Sequence, residues 1–126
     1  MINSLCKLAH DNAVAKGFYE RKRELPELLM LIVSELAEAM EAERNGYNVE
    51  PDRQIRAKDY ADTKEWHDAM KIGFQVEMRG TIEEEIADAC IRIFDLCGYY
   101  GIDLESWIKA KMEYNKTRQH KHGKVY

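Results

Sequence analysis

Apolar side chains recur at three- and four-residue spacing in four stretches of the chain, and each stretch is bounded by a residue that caps or breaks a helix. That periodicity points to α-helix. From about Ser4 to Lys16 the spaced residues are Leu5, Leu8, Ala9 and Ala13, and Gly17 closes the run. The second stretch opens with Pro26 in its first turn, where a missing N–H costs nothing, and runs to about Arg44 before Asn45 and Gly46. Its core-facing set reads Leu28, Leu29, Ile32, Leu36 and Met40. The third opens on Thr81-Ile82-Glu83-Glu84, a capping-box pattern, carries Ile82, Ile86, Cys90, Ile93 and Cys97, and is expected to stop before Gly98. The fourth takes Asp103 as N-cap and passes through Trp107, Ile108 and Met112 to about Arg118.

Composition agrees. Strong helix formers (Ala, Glu, Lys, Leu, Met, Gln, Arg) supply 64 of 126 residues, against five Val and three Thr, so the expected fold class is all-α. At this length one domain spanning residues 1–126 is expected. The stretch from Gly46 to Gly80 is polar, carries Pro51, and reads as a loop followed by a segment of open type. Trp66, Ala69, Met70 and Gly73 fit a helix there, whereas FQVEM (residues 74–78) alternates as a strand would. The basic tail from Gln119 to Lys124 reads as flexible in isolation.

A net charge of −4, from 23 acidic and 19 basic side chains, provides no field to gather a polyanion, so duplex nucleic acid is not an expected partner. Three cysteines without a CxxC or CxxH spacing indicate neither a disulfide framework nor a zinc knuckle. With no leader-like start and no apolar run of about 18 residues, the expectation is a cytoplasmic protein with no membrane partner.

Two carboxylate pairs stand out. On a helical wheel Glu35 touches one edge of the second stretch's apolar stripe, and Glu38 lies about 60° further around. Glu85 and Asp88 repeat the arrangement on the third stretch, at the same edge. Packing the two helices antiparallel would bring four carboxylates into one cleft, where repulsion is severe unless a cation intervenes. Hard oxygen ligands in surplus suit Mg²⁺, with Mn²⁺ also admissible, and the absence of any Glu-x-x-His pair argues against a di-iron bundle. The competing reading is an ordinary solvated helix face, since ExxE spacings arise often by chance among 23 acids.

SELAEAMEAER (34–44) followed by EEEIADACIRIFDL (83–96) resembles the paired ExxE and ExxD motifs of the MazG-like nucleotide pyrophosphohydrolases, within the all-α NTP pyrophosphatase superfamily. The resemblance extends from HDNAVAKGFYE near the N-terminus to KMEYNKTRQHKHGK at the end. It implies a helical bundle completed by oligomerisation, as a homodimer or homotetramer, with Trp107, Ile108 and Met112 as candidate contacts. The implied activity is Mg²⁺-dependent hydrolysis of a nucleoside triphosphate to the monophosphate and pyrophosphate, acting on non-standard or surplus nucleotides. Its alternative is a slow or inactive nucleotide-binding regulatory module with the same fold.

Matched by position, Glu35, Glu38, Glu85 and Asp88 would hold the metal, with Glu38 nominated to orient or deprotonate the attacking water. Lys111, Asn115 and Arg118, at i, i+4 and i+7, would contact substrate phosphates; a solvated, dipole-complementing last turn is the competing reading. His10, Phe18 and Tyr19, with Trp66 from the middle stretch, would receive the base by stacking, against a purely structural role for each. Cys90 and Cys97 read as small core residues, and His120-x-His122 as a tail without the geometry of a chelate.

Overall fold

The computed structural model describes residues 1–125, and among them every regular element is helical. Six α-helices follow in order: α1 (Ile2–Ala15), α2 (Leu25–Arg44), α3 (Pro51–Asp62), α4 (Asp68–Glu77), α5 (Ile82–Tyr100) and α6 (Leu104–Lys116). A short 3₁₀ turn, His120–Gly123, occupies the basic tail. No helix among these is long and apolar enough to cross a membrane. The helices group into two compact units: Glu24–Arg92 forms one, and Met1–Arg23 with the chain from Ile93 onward forms the other.

The stretch of open type resolves as α3 and α4. FQVEM closes α4, with Met78 as its C-cap, because Phe74 and Met78, four residues apart, turn the same way: Met78 is 4% exposed, while Val76 between them is 80% exposed. Alternation over five residues does not distinguish the two periods; the 74/78 pair does. Tyr60, Trp66 and Phe74 cluster across α3, the connecting loop and α4, with Tyr60 and Trp66 stacked at 5.5 Å. Arg53 anchors α3: almost fully buried, it donates to Glu83 Oε2 at 2.6 Å and to the Asn48 carbonyl at 3.1 Å. Glu83 also accepts from the Glu50 N–H, so the loop entering α3 is tied to the first turn of α5.

That first turn is capped much as the sequence pattern predicts. Thr81 Oγ1 accepts from the Glu84 N–H at 3.3 Å, and Glu84 reaches back to the Gly80 N–H at 2.7 Å, one residue earlier than a standard capping box.

The buried stripes are rotated from those read off the sequence. On α2 the inward residues are Leu28, Glu35, Ala39 and Ala42, whereas Leu29, Leu36 and Met40 are about half exposed. On α5 they are Glu85, Ala89, Leu96 and Cys97; Ile86 is half exposed and Cys90 lies on the surface, not in the core. Small alanines thus line the inner faces of α2 and α5, and the bulkier side chains point outward.

In the other unit, α1 and α6 are joined by polar contacts. Asn3 donates to the Asp103 carboxylate at 2.7 Å and accepts from the Glu105 N–H at 3.1 Å, and Glu105 receives the N-terminal amine at 2.9 Å. Asp103 is the N-cap of α6, as its position predicts, accepting from the Ser106 N–H. The Asn3 and Ser106 donors hold its carboxyl down at about 2.

α5 does not stop at Gly98. It continues to Tyr100 and ends at Gly101, whose φ of +65° is the left-handed turn that glycine accepts. Gly98 has another reason to be glycine: a Cβ there would lie 2.6 Å from the Cys6 carbonyl oxygen and 2.6 Å from His10 Cβ. The backbone of α1 occupies the space a side chain would need. Alanine in a helix interior ordinarily stabilises relative to glycine by about 0.5–1 kcal/mol. Here the sign reverses, and Gly98→Ala is expected to destabilise by about 1–3 kcal/mol, as overpacking does, read as a lower midpoint in urea with an unchanged slope.

Candidate functional site

Helix α5 is charged down one face. Glu85, Asp88, Arg92 and Asp95 follow at i, i+3, i+7 and i+10, which places them on a single stripe. The first three meet Glu35 of α2. Glu35, Glu85 and Asp88 each offer a carboxylate oxygen within 4.8 Å of the others, and this is the one such acidic group among the described residues. Glu35 and Glu85 are buried, at 6% and 8% exposure, and Asp88 is half-buried. Arg92 Nε donates to Glu35 Oε1, placing one guanidinium charge against three carboxylates.

Burial and repulsion raise two of these carboxyls, Glu85 and Asp88. Glu85 is pushed up to about 7, first by desolvation and then by the charges of Glu38, Glu84, Glu35 and Asp88. Asp88 is raised as well, by burial and by Glu84 and Glu35, with Arg92 opposing. The N-terminus of α5 favours anions, yet that partial charge does not offset three desolvated carboxylates. Such a group is relieved by protonation or by a cation.

Glu38, one turn beyond Glu35, is exposed and stands outside the triad, although its charge is the second cause of the Glu85 shift. The neighbouring acids are engaged elsewhere: Glu83 with Arg53 and Gln54, and Glu84 with the α5 cap.

The other sequence-predicted residues are placed as follows. Lys111 and Asn115 lie on α6, but Arg118 lies past its end, two residues beyond Lys116. Lys111 Nζ sits 4.7 Å from the Tyr114 ring centre, and the Arg118 guanidinium 5.9 Å from the same ring. Arg118 also donates to the His122 carbonyl at 3.2 Å, and Asn115 Oδ1 is buried with no partner among the described residues. Phe18 is 56% exposed. Trp66 belongs to the α3–α4 aromatic cluster, in the unit that carries the triad.

His10 and Tyr19 are brought together by a residue the sequence reading did not single out. Asp95 accepts from Tyr19 at 2.9 Å and pairs with His10 Nδ1 at 2.9 Å, while the two rings meet edge to face at 4.7 Å. Tyr99 packs on both. Arg92 was likewise missed. The signal was present in both cases, since each continues the helical face that Glu85 and Asp88 begin.

No family model, curated protein or solved structure matches the chain.

The raised carboxyl yields a stability prediction in the absence of metal. A carboxyl that binds its proton more tightly when folded contributes stability below its unfolded value, near 4.5, and loses it as pH rises through about 7. Isosteric Glu85→Gln removes that loss. Under chelation at pH 8 the variant is expected to melt higher than the unaltered chain by on the order of 2 kcal/mol, the difference closing as pH falls to 5. A gain independent of pH would show that Glu85 carries no such burden.

Proposed function

We propose that the chain is a Mg²⁺-dependent nucleoside triphosphate pyrophosphohydrolase of the MazG-like kind, releasing nucleoside monophosphate and pyrophosphate from non-standard or surplus nucleotides. The observation that carries this reading is the convergence of Glu35, Glu85 and Asp88 from two helices in a buried, mutually repelling group. Three hard oxygen donors at that spacing fit Mg²⁺, and Mn²⁺ by the same chemistry, and a substrate phosphate and water can complete the coordination. When bound, the ion supplies neutralisation of triphosphate charge and activation of a water.

The chain's own residues divide the remaining work. Glu35, Glu85 and Asp88 hold the cation. Glu38, exposed and outside the triad, is the carboxylate left to orient a water for attack at the α phosphorus, the proton passing to solvent. Arg92, released from Glu35 on metal binding, has a planar fork matched to phosphate oxygens. Lys111, Asn115 and Arg118 would serve as further phosphate contacts, and His10, Phe18, Tyr19 and Trp66 as base contacts, as the resemblance implies.

The Arg92–Glu35 pair favours a second reading. A guanidinium that already neutralises one ligand lowers the gain from metal binding, as expected of a nucleotide-binding regulatory module with slow turnover or none. The two readings separate in one assay, pyrophosphate release from a panel of ribo- and deoxyribonucleoside triphosphates with Mg²⁺, Mn²⁺ or EDTA. The hydrolase reading expects metal-dependent release from part of the panel, reduced at least 100-fold in Asp88→Asn, a loss in the range typical of removing one electrostatic contact to the reacting group. Its apparent Mg²⁺ affinity is expected to rise with pH up to about 7, where Glu85 gives up its proton, and to level off above. Nucleotide binding without release supports the regulatory module.

We further infer a homo-oligomer. Leu29, Val33, Leu36 and Met40 form an outward apolar stripe on α2, Trp107 on α6 is 69% exposed, and no large side chain among the described residues is fully buried. The unaltered chain is expected to elute as a dimer or tetramer in gel filtration at micromolar concentration. Leu36→Glu is expected to shift it toward monomer, and a wild-type monomer would overturn the inference.

A further inference from the structure

The Asp95–His10–Tyr19 cluster is more constrained than core packing requires. A carboxylate whose side chain is 17% exposed accepts from two donors of different chemistry, at 2.9 Å each, and both rings are held by Tyr99 as well. An ionised carboxylate only accepts, so the imidazole nitrogen facing it, Nδ1, must carry hydrogen. In the neutral ring this leaves Nε2 as a lone-pair acceptor. Tyr19, its hydroxyl hydrogen-bonded to Asp95 and its own ionisation suppressed by burial and by that charge, remains a donor and cannot reverse the arrangement.

His10 also lines a cavity of about 570 Å³ bounded by α1, the end of α5 and the Gly101–Asp103 turn. The volume is ample for a heterocyclic ring. Gly98, in the same wall, keeps the α1 and α5 backbones close behind the histidine. The imidazole is therefore fixed in position, in orientation and in tautomer beside an open cavity.

We propose that Asp95 is a positioning residue for ligand recognition, holding His10 so that Nε2 accepts a hydrogen bond from the exocyclic amino group of a heterocyclic ligand in this cavity. Among nucleotides it selects bases with an amino group where their counterparts carry a carbonyl. The choice of nucleotides rests on the proposed function; the tautomer assignment does not. A base that turns a carbonyl toward Nε2 sets two lone pairs against each other, so discrimination arises from a lost hydrogen bond and from repulsion together.

The two layers are tested separately. Imidazole ¹⁵N shifts of the full chain at pH 8, with the His10 resonances assigned by their loss in His10→Gln, report the tautomer without any ligand. The Nδ1–H form is expected; an Nε2–H form overturns the proposal. Calorimetric binding of CMP against UMP and of AMP against IMP, with Mg²⁺, is then expected to favour the amino member of each pair about tenfold. Asp95→Asn, whose amide can donate to Nδ1, is expected to turn His10 to the Nε2–H form and to erase or invert that preference. Equal affinity within each pair, or an unchanged ratio in a folded Asp95→Asn, overturns the proposal. The Nδ1–H form with no nucleotide bound at all overturns the nucleotide reading, and the ligand assignment with it, while leaving the positioning of His10 by Asp95 intact.

Discussion

Three carboxylates withdrawn from water within reach of one another are the constraint around which the Glu24–Arg92 unit is built. Bringing Glu35, Glu85 and Asp88 together opposes folding through both desolvation and repulsion. The surrounding residues act to contain it. Alanines at 39, 42 and 89 are buried on the same two helices, α2 and α5, that carry the group. Arg92 supplies one counter-charge, and the network around Arg53 and Thr81 fixes where α5 begins. A structural unit selected for stability alone would place apolar side chains at 35 and 85, because buried ionisable groups seldom increase stability.

The same helix carries a second constrained carboxylate. Asp95 is one step further along the stripe of Glu85, Asp88 and Arg92, but its surroundings differ in kind. Where the triad has more acceptors than donors, Asp95 has two donors and aromatic rings around it. One arrangement is short of a cation, and the other is complete. Along α5, then, the local balance of donors and acceptors distinguishes a group suited to recruiting an ion from a group suited to orienting a neighbour.

Much of this was legible in the sequence. Gly17, Pro26, Asn45-Gly46, Thr81 and Asp103 mark helix ends because backbone geometry and capping are local properties, and local signals survive without tertiary information. The carboxylate spacing was legible for the same reason. What the sequence obscured was rotation. Hydrophobicity alone places Leu29, Leu36, Met40 and Ile86 inward, but the inner faces of α2 and α5 carry alanine and glutamate. An apolar stripe shows which side of a helix avoids water, not which surface covers it. Gly98 misled similarly, because a glycine required by a neighbouring backbone is indistinguishable in sequence from one that ends a helix. Asp95 and Arg92 went unread because each acts through residues far away in the chain.

The two tryptophans make the chain its own optical probe. Trp66 sits among Tyr60 and Phe74 in one compact unit, and Trp107 stands largely in solvent on α6 in the other. Emission from Trp66 depends on the packing of α3 against α4 and changes when that cluster loosens. Trp107 already emits from water, so unfolding of its own unit alters it little, and only a surface laid over it would shift its spectrum to the blue. Loss of structure and gain of a neighbour therefore move the fluorescence of a single unlabelled chain in opposite directions.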